Sequence, residues 1–75
     1  MSLPDIFVRL SQLGYSPTME GKPSNKYSVI YLGDYIIQNR VVDKGFRITS
    51  ENTFLSLPKG KDVVKFFETK EEREL

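Results

Sequence analysis

The stretch Asn25–Val42, NKYSVIYLGDYIIQNRVV, decides the fold. Residues 27–32 alternate between two faces, with Tyr27, Val29 and Tyr31 opposite Ser28, Ile30 and Leu32, and this period of two is typical of a β-strand. Gly33 and Asp34 follow with glycine at the first central position of a two-residue hairpin loop, as a type II′ turn requires. Residues 35–42 then predict a second strand antiparallel to the first.

The chain after this hairpin predicts two more strands. Residues 43–45 (DKG) offer a short turn, and FRIT at 46–49 places Phe46 and Ile48 on one face. Residues 50–52 (SEN) turn again into TFLSL at 53–57, which Pro58 ends because proline cannot donate to a central ladder. Together these segments predict a meander of four strands.

Both ends of the chain are ambiguous. Residues 2–15 fit a helix, with a Ser2 and Asp5 capping pair, an apolar stripe and Gly14 at the C-terminal end, but residues 6–11 also alternate as a strand would. Local signals favour the helix. Residues 15–25 contain Pro, Gly, Ser and Asn every few positions and predict a loop.

The C-terminal segment 61–68 (KDVVKFFE) begins a helix or forms a fifth strand, and its Val-Val and Phe-Phe pairs favour the strand, with Pro58-Lys59-Gly60-Lys61 as the hairpin turn. Thr69 would then cap a short helix in the acidic tail 68–75. The sequence therefore predicts one α+β domain, residues 1–75, with an antiparallel meander sheet of four to five strands and one or two short terminal helices.

Composition argues against catalysis and metal binding. The chain has no Cys and no His, which excludes Ser-His and Cys-His nucleophile pairs and leaves poor ligands for transition metals. Asp34, Asp43 and Glu51 fall at predicted turn tips, which are expected to be exposed to solvent and to form no water-excluding pocket for acid–base chemistry. We therefore expect no enzyme activity and no cofactor.

The small size of the domain also predicts its surroundings. Seventy-five residues without disulfides or metal give a small core, so a homodimer that buries more apolar surface is expected. No apolar run approaches about 18 residues, and no signal-peptide pattern opens the sequence. These features predict a cytoplasmic protein that is not inserted in a membrane.

Charge is unevenly distributed along the chain. Residues 21–66 contain eight Lys or Arg against four Asp or Glu, whereas residues 68–75 contain four Glu against two cations. A mildly basic body permits contact with phosphates, and three tyrosines in the hairpin region, Tyr27, Tyr31 and Tyr35, offer rings on which bases can stack. Because Tyr27 and Tyr31 share a face with Val29, the stripe is more typical of a core.

The order of these segments resembles the stage V sporulation protein G family, the bacterial septation regulators. DIFVRL at 5–10 is similar to that family's opening strand, YSVIYLGDYIIQNRVVDKG at 27–45 to its second and third strands, and TFLSLPKGK at 53–61 to its apolar strand ending in proline and basic residues. DVVKFFETKEEREL at 62–75 is similar to its final strand and helix. The resemblance implies a strand at the N-terminus and a small dimer that binds DNA or RNA through Lys59 and Lys61, with Pro58 setting the exit of the loop.

The sequence therefore predicts a non-enzymatic regulatory protein that binds nucleic acid. The expected phosphate contacts are Lys59, Lys61 and Lys65, supported by Lys44 and Arg47. The alternative is a protein-interaction module that adds an edge strand to a partner's sheet or binds through its acidic tail.

Overall fold

The computed structural model describes residues 2–21, 28–39 and 45–70, which form one five-stranded antiparallel sheet and two helices. In chain order the elements are α1 (Leu3–Gln12), β1 (Thr18–Glu20), β2 (Val29–Leu32), β3 (Tyr35–Asn39), β4 (Phe46–Thr49), β5 (Phe54–Leu57) and α2 (Gly60–Glu68). Each strand pairs with its neighbours in sequence, so the sheet order is β1-β2-β3-β4-β5. The predicted α+β meander is confirmed.

Two tight turns lie at the same end of this sheet. Leu32 pairs with Tyr35, so the β2–β3 loop contains only Gly33 and Asp34, and Gly33 has a φ of +59° that favours glycine. The β4–β5 connection is closed by the backbone N–H of Ser50, which donates to the carbonyl oxygen of Thr53 at 2.9 Å. Both turns are where the sequence predicted them.

One face of the sheet carries the core. Its central row, formed by neighbouring residues on the five strands, is Met19, Ile30, Ile37, Ile48 and Leu55. The helices cover this face with residues of α1 and α2 that are almost fully buried: Leu3, Ile6, Leu10, Val63, Val64 and Phe67. The preference for Tyr27 and Tyr31 as core residues is wrong for Tyr31, which is half-buried on the opposite face, and Tyr27 lies outside the described residues.

Helix α1 follows its local sequence signals. The backbone N–H of Ser2 donates to Oδ2 of Asp5 at 3.0 Å, and Pro4 lies in the first turn, where its missing N–H costs nothing. Hydrogen bonds from the Ser2 backbone and hydroxyl hold the pKa of the Asp5 carboxyl below its ordinary value. The predicted helix is confirmed, and the strand that the resemblance implied for this segment is wrong.

Helix α2 corrects the prediction for the C-terminal segment. The Val-Val and Phe-Phe pairs favoured a strand, but Gly60, Val63, Val64 and Phe67 form one buried helical face. Packing that stripe against the sheet outweighs the modest β-propensity of the individual residues. Pro58 to Lys61 is therefore the connection from β5 to α2, and not a hairpin turn.

The fifth strand comes instead from the predicted loop. β1 is only three residues long, and Thr18, Met19 and Glu20 pair with Tyr31, Ile30 and Val29 of β2. So short a strand carries little periodicity, which explains why the sequence pattern missed it. Thr69 is the C-cap of α2, and its hydroxyl donates to the carbonyl oxygen of Lys65 at 3.1 Å; residues 71–75 of the predicted tail helix lie outside the described residues.

Candidate nucleic-acid interface

The two ends of the sheet differ in their connections and their charge. We call the end that carries the Gly33-Asp34 and Ser50–Thr53 turns the turn end. At the opposite end, the basic end, β1, β3 and β5 finish and β2 and β4 begin. The backbone pairs Glu20 with Val29 and Phe46 with Leu57 mark the basic end at the two edges of the sheet.

The strand ends at the basic end are held close together. Gly21, just after β1, has a φ of +88°, and a Cβ built on it would lie 2.9 Å from Oγ and 3.1 Å from Cα of Ser28. Ser28 is itself buried next to the start of β2. Residues 22–27, between β1 and β2, and 40–44, between β3 and β4, lie outside the described residues; in sequence they carry four cations (Lys22, Lys26, Arg40 and Lys44) against Asp43, a net charge of +3.

Lys59 and Lys61 flank the start of α2 at the basic end. Lys59 is exposed and is the N-cap of the helix, where its ammonium group, which has no acceptor, cannot cap the backbone N–H groups. Lys61 is exposed in the first turn. The N-terminus of a helix carries a partial positive charge, so two lysines here increase the positive potential at this point. Their repulsion with the helix dipole slightly destabilises α2. This arrangement favours an anionic partner.

Arg47 lies on the face of the sheet that the helices leave uncovered, which we call the open face. Its guanidinium carbon lies 5.2 Å from the centroid of the Phe54 ring, within the range of a cation–π interaction. The Nε atom of Arg47 is buried and has no hydrogen-bond partner in the described structure. Arg47 pairs with Ser56 of β5, two residues before Pro58.

The predicted site residues are therefore only partly brought together. Lys59 and Arg47 lie at the basic end, and Lys61 lies in the first turn of α2 beside Lys59. Lys44 lies outside the described residues. Lys65 is one helical turn beyond Lys61, on the opposite side of the sheet from Arg47.

Lys61 and Lys65 line a shallow groove with a cation that the sequence analysis missed. The groove has a volume of about 400 Å³ and includes Arg9 of α1, but Asp62 and Glu68 also line it. The groove is therefore mixed in charge, so it offers phosphate less than the basic end does. Nothing in the sequence of α1 alone indicated that Arg9 would face α2.

A larger cleft of about 620 Å³ opens at the turn end. Residues of both turns line it, Asp34 and Glu51 among them, together with the rings of Tyr15, Tyr35 and Phe67. Lys70 also lines the cleft, with Nζ 5.6 Å from the centroid of the Tyr35 ring. The turn tips predicted for Asp34 and Glu51 are confirmed, and Asp43 lies outside the described residues.

No protein-family model matches the chain, and no curated protein or solved structure is significantly similar to it. Within the described ranges, no group of three or more carboxylates is arranged to hold a metal ion. Neither α1 nor α2 is long and apolar enough to cross a bilayer, and no other helix is described in that part of the chain.

Proposed function

We propose that this protein is a non-catalytic domain that binds nucleic acid at the basic end of its sheet. The observation that carries the proposal is the start of α2, where an exposed lysine occupies the N-cap position without capping and a second lysine follows in the first turn. Ser, Thr, Asp or Asn at this position would stabilise the helix by about 1 kcal/mol more. A phosphate bound here offsets that cost.

Charge placement supports the same end of the molecule. Lys59, Lys61 and Arg47 are the described cations there, and the sequence adds a net +3 in the two segments that join strands at that end. Glu20, the described acid on the open face, lies three strands from Arg47, about 14 Å at ordinary strand spacing. That separation exceeds the screening length of about 8 Å at physiological salt, so Glu20 does little to neutralise Arg47.

The binding residues divide into two roles. Lys59 and Lys61 contact phosphates, and the first turn of α2 contributes its backbone N–H groups. Arg47 contacts the same nucleic-acid molecule from the open face of the sheet. Lys61 and Lys65 share a groove with Asp62 and Glu68, so each makes a weaker contact than Lys59 does. A homodimer formed through an edge strand, β1 or β5, would double the number of such ends available to one ligand.

The test is fluorescence anisotropy of labelled DNA and RNA, titrated with the protein at several salt concentrations. The logarithm of the affinity is expected to fall with the logarithm of salt concentration, by about 0.7 to 0.9 for each phosphate contact. Lys59→Ala and Lys61→Ala are each expected to reduce that slope by one contact. Lys70→Ala, which removes the same charge at the turn end, is the matched control and leaves the slope unchanged.

Two outcomes would contradict the proposal. Absence of binding at low salt to both DNA and RNA would end it, as would equal losses for Lys59→Ala and Lys70→Ala. In either case the protein-interaction alternative gains, because the sheet has two edge strands and the edge strand β5 exposes 68% of Phe54. The protein-interaction alternative would be established by a defined partner that still binds in high salt after nuclease treatment. Binding of that partner should be lost with Ser56→Pro, which blocks strand addition at β5.

A further inference from the structure

We infer that the ligand is single-stranded and that one of its bases stacks on Phe54 on the open face. This inference rests on the proposed function, because it concerns the path of the same nucleic acid past the basic end. Phe54 is the most exposed large apolar side chain in the described structure, at 68%. Tyr35, Phe66 and Phe67, by contrast, pack edge-to-face against one another.

The open face presents two rows of side chains. The row nearer the turn end is Thr18, Tyr31, Ile36, Thr49 and Phe54, and the row nearer the basic end is Glu20, Val29, Gln38, Arg47 and Ser56. Aromatic rings on an uncovered sheet are the means by which many proteins stack the bases of unpaired strands. Tyr31 lies in the same row as Phe54, three strands away, and offers a second ring.

Arg47 places a positive charge beside the exposed Phe54 ring, and a ligand that carries both bases and phosphates can contact the two together. The guanidinium lies over the ring at 5.2 Å, in the neighbouring row and nearer the basic end. Because the guanidinium covers one side of the ring, a base stacks on the remaining exposed surface of Phe54, with its phosphate towards Arg47 and Lys59, the described cations at this corner of the sheet.

A duplex does not fit this arrangement. Bases in a duplex are stacked on one another, so an aromatic ring lying in the face of a sheet has no free base surface to meet. A single strand can splay its bases onto the ring while its backbone follows the cations. Stacking of this kind is worth about 1 to 3 kcal/mol per base and tolerates any sequence.

A second copy of the chain is a weaker occupant. Five strands about 4.8 Å apart and about four residues long give a platform of roughly 24 by 14 Å, or about 330 Å². A stable interface buries about 800 Å² on each partner. A face-to-face dimer would also bring two copies of Arg47 into an interface that holds only Glu20 as a described counter-charge.

The experiment uses the absence of tryptophan from the chain. Phe54→Trp creates a single reporter whose fluorescence is quenched when a base stacks on it. Titration with an oligothymidylate of about 12 nucleotides is expected to quench this emission, within the usual site size of sheet-based binders. Phe54→Ala is expected to weaken binding of the same oligonucleotide by about five- to 150-fold, and Phe54→Tyr to retain it.

The matched control is Val8→Ala. Val8 is 52% exposed on α1, on the opposite side of the molecule, so its truncation also removes an exposed apolar side chain but leaves binding unchanged. A duplex of the same length is expected to bind more weakly than the single strand and to leave the emission of Phe54→Trp unquenched.

Failure of this inference is distinguishable from failure of the proposed function. Salt-dependent binding that is lost with Lys59→Ala but unaffected by Phe54→Ala would overturn the stacking inference alone. Binding to neither single strands nor duplexes would overturn both. A concentration-dependent dimer that dissociates with Phe54→Ala would assign the open face to a second copy, and so would also overturn the inference.

Discussion

The turn end and the basic end of the sheet differ in what their residues do for the fold. At the turn end the loops are two to four residues long, and the rings of Tyr15, Tyr35 and Phe67 meet edge-to-face beneath them. At the basic end α2 begins without a capping side chain, and the sequence between β1 and β2 and between β3 and β4 is longer and carries a net positive charge. The difference teaches that stability is concentrated at one end and the positive charge at the other.

Such a division has a physical reason. Lysines placed close together repel one another, and the dipole at a helix N-terminus does not stabilise them. A cluster of cations at the start of α2 therefore lowers the stability of the fold. Rings, tight turns and the hydrogen bond from the Tyr15 hydroxyl to the carbonyl oxygen of Phe67, at 2.8 Å, supply that stability at the opposite end. The predictions below test the division, beginning with the largest effect.

Truncation of Phe67 is expected to be the most damaging change. Phe67 is 1% exposed and contacts three other rings, so Phe67→Ala should lower the free energy of unfolding by about 3 to 5 kcal/mol. A domain of this size has a total stability of roughly 4 to 11 kcal/mol, so the variant will be close to unfolding. Urea denaturation followed by circular dichroism measures the loss.

The control for this change is Phe54→Ala, which removes the same atoms from an exposed position. It is expected to change the unfolding free energy by less than about 0.5 kcal/mol. Phe67→Leu, which leaves a smaller cavity, keeps the measurement possible if Phe67→Ala does not fold. Similar losses at positions 54 and 67 would contradict the assignment of the open face as uncovered.

The two glycines with positive φ at opposite ends provide an intermediate test. Gly33→Ala places a Cβ in open space and is expected to cost about 1 to 2 kcal/mol for its φ of +59° alone. Gly21→Ala carries a similar backbone cost and also brings its Cβ within 3.1 Å of the Ser28 backbone. Thermal unfolding should therefore show a larger loss for Gly21→Ala, and equal losses would mean that the strand ends there move apart freely.

The smallest expected effect is that of Lys59→Asn, which should raise stability but lower affinity for nucleic acid. Lys59→Asn supplies the missing cap of α2 and is expected to raise the unfolding free energy by about 1 kcal/mol. The same substitution removes a phosphate contact and should weaken nucleic-acid binding. Lys65→Asn, within the helix, serves as the comparison and is expected to lower stability slightly. A variant at position 59 that gained both stability and affinity would contradict the proposed role of Lys59.

The sequence was sufficient for the central hairpins and insufficient for the elements that depend on packing. Gly33-Asp34 and the alternation in β2 to β5 are local features, and the structure has them where the pattern predicted. The segment 61–68 became a helix because its buried stripe meets the sheet, which is a property of the whole fold. The face that carries the core was likewise fixed by the helices, and so Tyr31 faces outward.

The candidate site was predictable in part for the same reason. Lys59, Lys61 and Arg47 stand out as cations in the sequence, but only the pairing of Phe46 with Leu57 brings the segments that carry them to one end. Lys65 was predicted together with them, but α2 places it one helical turn beyond Lys61, on the opposite side of the sheet from Arg47. Phe54 lies opposite Leu55 and Leu57 on its strand, as the alternation of a strand requires, but its exposure depends on a face that neither α1 nor α2 covers.

The position of α2 last among the described elements has a consequence for biosynthesis. Val63, Val64 and Phe67 complete the core, and the Tyr15–Phe67 hydrogen bond joins residues 52 positions apart. A nascent chain that has emerged only as far as Leu57 would expose the apolar side of a nearly complete sheet. Completion of the core must therefore await the emergence of α2 from the ribosome, and until then the exposed apolar side of the sheet can associate with other chains.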